Sequence, residues 1–274
     1  MIRELVATLA FSAAIVCGSS VTAKTPEVLT AVEQLQLRDN LNRGRQIYDY
    51  DQAAWHTTDA MVEHVPEAQR ARVQGWVVTP ASGGHKATYF GREGDRRFVV
   101  YSAVWDGTKI RSEIVAPAGS RQPLSAEEDR LATALETAMP TARTLGRCSS
   151  AQFNAVVLPG KTPGDLISVY LLTPQTKEGE YPFGGHYRID LKNGTVAGQR
   201  PFTKSCISLN TKGTTTQTVA AMFITHLLDA VPTEIHVFAM LTTGKPLAVG
   251  VPGGRVYMLS APKGVPNAEL ISPN

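Results

Sequence analysis

The chain has 274 residues, of which 43% are hydrophobic and 19% are charged, and its formal net charge is +3 at pH 7. This composition is typical of a globular protein with one large core or two smaller ones. Lysine and arginine do not cluster into a basic groove, so the sequence predicts no nucleic-acid partner.

The first 23 residues have the pattern of a secretory signal peptide. Arg3 precedes an apolar run from Leu5 to Val16, and small and polar residues follow it up to Ala23. The run is too short to span a bilayer, and no later run is long enough to do so. We therefore expect a cleaved, periplasmic or secreted protein that begins at Lys24 and has no transmembrane segment after cleavage.

Two other fates are open for this segment. Cys17 can be a lipid-attachment site, although Val16 before it is bulkier than the residue that lipoprotein signals usually carry there. The segment can also remain as an uncleaved anchor. These alternatives would hold the protein at a membrane surface.

Cleavage leaves two cysteines, Cys148 and Cys206. Two cysteines in an oxidising compartment favour one disulfide. The alternative is that Cys206 is a nucleophile served by a histidine such as His186. No recognisable cysteine-enzyme signature surrounds Cys206, so the disulfide is the preferred interpretation.

The mature N-terminus predicts two helices. Thr25 can cap the first helix, whose apolar residues repeat at helical spacing until "RDNLNRG" interrupts them. Asp51 is the predicted N-cap of the second, with Tyr50 and Trp55 forming a hydrophobic staple around it. We expect this helix to end near Pro66.

The rest of the segment 24–145 predicts a first antiparallel sheet with one helix. Ser125 and Glu128 form a capping box at the start of that helix. A boundary near residue 145 separates this group from a second subdomain, 146–274. The strands are expected at four β-branched and aromatic runs: "GWVVTP", "HKATYFG", "RRFVVYSAVW" and "TKIRSEIVAP".

The segment 146–274 predicts a similar arrangement, with a second group of strands and a helix that begins at Thr214. The adjacent glycines Gly184 and Gly185 indicate a bulge or a close backbone approach. The fold class is therefore α+β, with N-terminal helices followed by two antiparallel meander sheet groups, each with an associated helix. The strands are expected at "FNAVVLP", "DLISVYLLTP", "GGHYRIDL", "TVAGQRPF", "KSCISL", "TEIHVFAML", "KPLAVGV" and "RVYMLS".

The hairpin that turns at Asn193-Gly194 carries the first candidate site. His186, Arg188 and Asp190 share one of its faces, which we expect to be polar and solvated. The three side chains can bind a small anion, and His186 can act as a catalytic residue. The alternative is a solvated sheet face with ordinary cross-strand ion pairs.

Two further groups combine residue types that carry chemistry. His56 and Asp59 lie at i and i+3 on a predicted helix, where they can form a catalytic acid–base couple or a plain surface pair. Glu234 and His236 share one face of the predicted strand "TEIHVFAML", and His226 can complete a metal site with them. No zinc-binding motif supports this, so we expect neither a metal nor a cofactor.

The sequence lacks the standard motifs for nucleophilic elbows, phosphate loops and dinucleotide sites. We therefore expect an exported, non-catalytic binding or envelope-associated protein, whose partner is a small anion or an envelope protein. The alternative is a hydrolase with a His-Asp or His-Cys site that lacks a standard motif.

Overall fold

A computed structural model of the chain describes residues 29–160, 164–212 and 219–271. The described part is an α+β fold that contains antiparallel sheets, as the sequence predicts. The predicted signal peptide lies outside the described residues. So do four residues that carried predictions: Cys17, Lys24, Thr25 and Thr214.

The first element is one long helix, α1 (Ala31–His64). Thr30 caps it, because the Glu33 N–H donates to Thr30 Oγ1 at 3.2 Å and the Thr30 N–H donates to Glu33 Oε2 at 2.9 Å. This reciprocal pair satisfies two of the N–H groups that a helix start leaves free. The helix ends before Pro66, as expected.

The next elements confirm the first predicted sheet and its helix. The sheet is an antiparallel meander in the order β1-β2-β3-β4. The Ser125–Glu128 capping box at the start of α3 is present. The elements are α2 (Glu67–Arg70), β1 (Gly75–Ala81), β2 (Gly84–Glu93), β3 (Arg96–Trp105), β4 (Ile110–Val115) and α3 (Ala126–Ala142).

The second sheet has the order β5-β6-β8-β9, and a short ribbon of β7 and β10 lies beside it. Asn193 and Gly194 have φ of 50° and 78°, as a tight two-residue turn between β8 and β9 requires. These elements are β5 (Asn154–Leu158), β6 (Ile167–Leu172), β7 (Glu180–Pro182), β8 (Tyr187–Lys192), β9 (Thr195–Pro201) and β10 (Ser208–Asn210).

A third sheet of four strands, in the order β11-β12-β13-β14, closes the described part. Here β11 pairs with β12 in parallel, and α4 forms the crossover between them. The elements are β11 (Met222–Thr225), α4 (Glu234–Thr243), β12 (Leu247–Gly250), β13 (Val256–Ser260) and β14 (Asn267–Ile271).

Two predictions about this third sheet are wrong. The predicted strand "TEIHVFAML" is helix α4, and Met222 and Phe223, which the helix predicted to begin at Thr214 was expected to include, lie in strand β11. The first seven residues of α4 are all buried. A helix that is buried on all sides lacks the polar stripe that reveals the helical period. The alternation of residue types along this segment therefore resembled that of a strand.

Two predictions about α1 are also wrong. The segment "RDNLNRG" does not break the helix, and Asp51 lies in its interior rather than at its N-cap. Gly44 explains the apparent break, because it is the point where α1 crosses α4. A Cβ built on Gly44 would lie 2.5 Å from Val237 Cβ and 2.6 Å from the Glu234 carbonyl oxygen. The glycine permits close helix packing instead of ending the helix.

The central strands of the first two sheets are covered on both faces, whereas the edge strands β4 and β9 are largely exposed. Val78 and Tyr170 pack in the cluster that contains α1, whereas their chain neighbours Val77 and Leu171 pack in the cluster that contains α3. Of the hairpin face that was expected to be solvated, the β8 part with Arg188 and Asp190 lies under α1 and α4, whereas β9 stays largely exposed. The sequence prediction assumed a one-sided sheet, which is common for antiparallel sheets but does not apply here.

Candidate functional site

The main candidate site is a pocket of about 510 Å³ at the place where α1 and α4 cross the edges of the first two sheets. This volume lies in the range that small-molecule sites usually occupy. Its lining residues are Asp51, Gln52, Ala54, Trp55, Thr58, Met61, Val73, Trp76, Tyr89, Asn154, Ala155, Leu172, Thr173, Pro174, Gln175, Tyr181, Pro182, His186, Phe238, Ala239 and Thr242.

Aromatic rings form much of the pocket wall. Trp76 and Tyr89 stand 6.4 Å apart between ring centroids, and Tyr181 and Phe238 contribute from the second half of the chain. The Tyr89 hydroxyl donates to the Ala54 carbonyl oxygen at 2.8 Å, which holds the ring in place. Such rings bind apolar and planar ligand surfaces with little loss of side-chain entropy.

Trp55 belongs to the same wall and remains 56% exposed. Its ring stacks on His56 at 5.0 Å between centroids, and His56 in turn stacks on Trp105 at 4.0 Å. His56 therefore supports the orientation of Trp55. Asp59 is exposed and does not line the pocket, so the structure does not bring the predicted His56–Asp59 couple into the site.

Asp51 places a carboxyl group in this mainly apolar pocket. Burial raises the pKa of Asp51 from 3.8 to about 6, and a hydrogen bond from Gln52 opposes the rise only in part. Sequence reasoning assigned Asp51 to a helix cap and so missed it as a site residue. The sequence did contain a signal for this position. Asp51 precedes Trp55 by four residues, so the two side chains share one face of a helix.

His186 is buried at the inner wall of the pocket with both ring nitrogens engaged. Its Nδ1 accepts from the Thr173 N–H at 3.1 Å, and its Nε2 lies 3.1 Å from the Pro182 carbonyl oxygen. An acceptor at Nδ1 and a donor at Nε2 fix the neutral tautomer. Burial lowers the pKa of His186 to about 4. The arrangement positions β7 and the segment before β8, and leaves no free nitrogen for proton transfer.

The predicted disulfide between Cys148 and Cys206 is present, with a Cα–Cα distance of 5.3 Å. It lies against the glycine pair that was expected to permit close backbone approach. A Cβ on Gly185 would be 2.4 Å from Cys148 Sγ, and one on Gly184 would be 2.3 Å from the Ser205 carbonyl oxygen. The disulfide therefore fastens the chain next to the inner wall of the pocket, and Cys206 is not a free thiol.

Arg188 and Asp190 form the ion pair that their spacing allows, at 3.0 Å. Glu234 of α4 completes the network, because its Oε1 accepts from Arg188 Nη1 at 2.9 Å and from the Tyr170 hydroxyl at 3.0 Å. His186 takes no part in these bonds. Since two carboxylates flank Arg188, its charge is already balanced within the protein.

The structure also shows where the residues considered for a metal site lie. Glu234 and His236 lie on helix α4, and the Thr233 N–H donates to His236 Nδ1 at 2.9 Å. His226 Nε2 lies 2.7 Å from Asp229. Among the described residues no group of three His, Cys, Asp or Glu side chains is placed to hold a metal ion. The common strand face on which the metal hypothesis depended does not exist.

Comparison of the chain with protein-family models, with curated proteins and with solved structures finds no match. Among the helices of the described ranges, none is long and apolar enough to cross a membrane. The pocket and the residues that line it are therefore the features that bear on function.

Proposed function

We propose that this protein is exported and binds a small, mainly apolar molecule in the pocket between α1, α4 and the first two sheets. The observation that carries the proposal is a cavity of about 510 Å³ whose wall combines five aromatic side chains with one carboxyl group. A concave apolar site with few polar groups is the usual form of a small-molecule site.

Two features support export. The N-terminal 23 residues have the charge and hydropathy pattern of a signal peptide. The Cys148–Cys206 disulfide is compatible with an oxidising compartment. Both features are what a periplasmic or secreted protein is expected to have.

The contacts of the earlier candidates favour binding over hydrolysis. Cys206 is held in a disulfide, and both ring nitrogens of His186 are hydrogen-bonded to the backbone. A nucleophile–base couple needs a free thiol or hydroxyl beside a free nitrogen. The expected small anion is also less favoured, because Arg188 is paired with Asp190 and Glu234.

The direct test uses the neutral fluorescent probe N-phenyl-1-naphthylamine and one pocket-filling variant. Thr242 lies on α4 and lines the pocket, whereas Thr243 beside it does not. Both hydroxyls donate to the carbonyl four residues earlier, at 2.9 and 2.8 Å. Thr242→Trp and Thr243→Trp therefore change the same residue type on the same helix.

We expect the unchanged protein and Thr243→Trp to bind the probe with similar affinity, and Thr242→Trp to bind it at least about tenfold more weakly, since the indole fills the cavity. Circular dichroism checks that both variants fold. No binding to the unchanged protein, or equal binding to all three, would refute the proposed site.

A further inference from the structure

The pocket contains one carboxylate and no side chain that is positively charged near neutral pH. Among its lining residues Asp51 is the only acidic one, and no lysine or arginine is present. His186, the only lining residue that could be cationic near neutral pH, is held neutral by its bond from the Thr173 N–H. The pocket therefore carries a net negative charge that the protein does not balance inside it.

Asp51 has no ion-pair partner among the described residues, and Gln52 beside it offsets the effect of burial on its pKa only in part. A carboxylate withdrawn from water without a partner is unfavourable, so a cation that reaches it is bound more tightly than it would be at an exposed site. The nearest acid along the helix, Asp49, does have a partner, because its Oδ1 lies 2.7 Å from Arg45 Nε.

The aromatic wall favours the same kind of ligand. Trp55 follows Asp51 by one helical turn and lines the same pocket, together with Trp76 and Tyr89. The faces of these rings attract cations and stack on planar groups. An ammonium group at Asp51 therefore meets a carboxylate and lies in an aromatic pocket, while the remaining wall suits an apolar body.

We propose that the ligand of this pocket carries one protonated amine, which pairs with Asp51, on an otherwise apolar body that contains an aromatic ring. This inference rests on the proposed binding function and names its ligand class. It assigns Asp51 the role of the selecting residue. The anion that was expected from the sequence is disfavoured at this pocket by the same charge.

The test compares two probes that differ in one group, 2-(naphthalen-1-yl)ethylamine and 2-(naphthalen-1-yl)ethanol. Binding is measured at pH 7.5 by isothermal titration calorimetry, with quenching of tryptophan fluorescence as a second readout. The variants are Asp51→Asn and Asp39→Asn. Asp39 is exposed on the same helix, so its variant removes the same charge about 18 Å along the axis.

We expect the unchanged protein and Asp39→Asn to bind the amine at least about tenfold more tightly than the alcohol. The reason is that the ammonium group forms a partly desolvated charge pair with Asp51, which the alcohol cannot form. Asp51→Asn should lose this preference while its affinity for the alcohol stays within about twofold, which also shows that the variant is folded. Equal binding of both probes to the unchanged protein, or a preference that survives in Asp51→Asn, would overturn the ligand class and leave the pocket intact. Failure of both probes to bind would count against the proposed function itself.

Discussion

Replacing Asp51 by asparagine should stabilise the empty protein, and the gain should depend on pH. Burial raises the pKa of Asp51 from 3.8 to about 6, so the folded protein keeps this proton over a pH range in which the unfolded chain releases it. Its contribution to the free energy of unfolding therefore falls as pH rises from about 4 to about 6. A shift of about two pKa units corresponds to up to about 3 kcal/mol.

The assay is urea unfolding followed by tryptophan fluorescence at pH 4, 5, 6, 7 and 8, with Asp39→Asn as the control. The free energy of unfolding of Asp51→Asn should exceed that of the unchanged protein by up to about 3 kcal/mol at pH 8, and by about zero at pH 4. His186, Tyr89 and Tyr181, the other titratable groups of the pocket, are the same in all variants, so the difference isolates Asp51. A gain that is constant with pH, or a loss at pH 8, would refute the reasoning.

Three further predictions concern the framework around the pocket. The double variant Cys148→Ser/Cys206→Ser should lose about 4 kcal/mol in urea unfolding, since the disulfide closes a loop with a sequence separation of 58; a loss below about 1 kcal/mol would contradict the entropic account. Glu234→Ala should cost about 3 kcal/mol or more by the same assay, because the buried Tyr170 hydroxyl and the partly buried Arg188 guanidinium lose their acceptor, whereas Glu127→Ala, which breaks an exposed pair, should cost under about 1 kcal/mol. Gly44→Ala should lower the melting temperature despite the better helix propensity of alanine, because its Cβ meets the α4 backbone at 2.6 Å; a higher melting temperature would show that α4 moves away freely.

The sequence predicted those elements whose signals are local. The Ser125–Glu128 capping box and the Asn193-Gly194 turn depend on neighbouring residues alone, and both are present. The disulfide followed from the count of cysteines, and the close approach at Gly185 followed from its lack of a side chain. In each case the physical cause lies within a few residues or in the chemistry of one residue type.

The sequence could not predict what depends on distant partners. Gly44 had the appearance of a helix break, because the α4 residues that pack on it lie almost two hundred positions away in the chain. Helix α4 had the appearance of a strand, because burial on all sides removed its polar stripe. Asp51 had the appearance of a cap, because an aspartate before an apolar run is usually one. The pocket combines all these distant elements, so no short motif encodes it.

The contrast between Asp51, which is partly buried, and the buried carboxylates Glu128 and Glu234 bears most directly on function. Glu128 accepts from Lys86 at 2.8 Å and from Thr88 at 2.6 Å, and burial there is outweighed by these bonds, so that the pKa of Glu128 falls to about 2. Glu234 is flanked in the same way by Arg188 and Tyr170.

This chain thus gives a cation or a strong donor to a carboxylate where it buries one for stability. Asp51 departs from that rule: it lies in the wall of the pocket of about 510 Å³ and has no ion-pair partner among the described residues. The proposed ligand class accounts for this exception, because a cationic ligand would supply the partner that the described residues do not give Asp51.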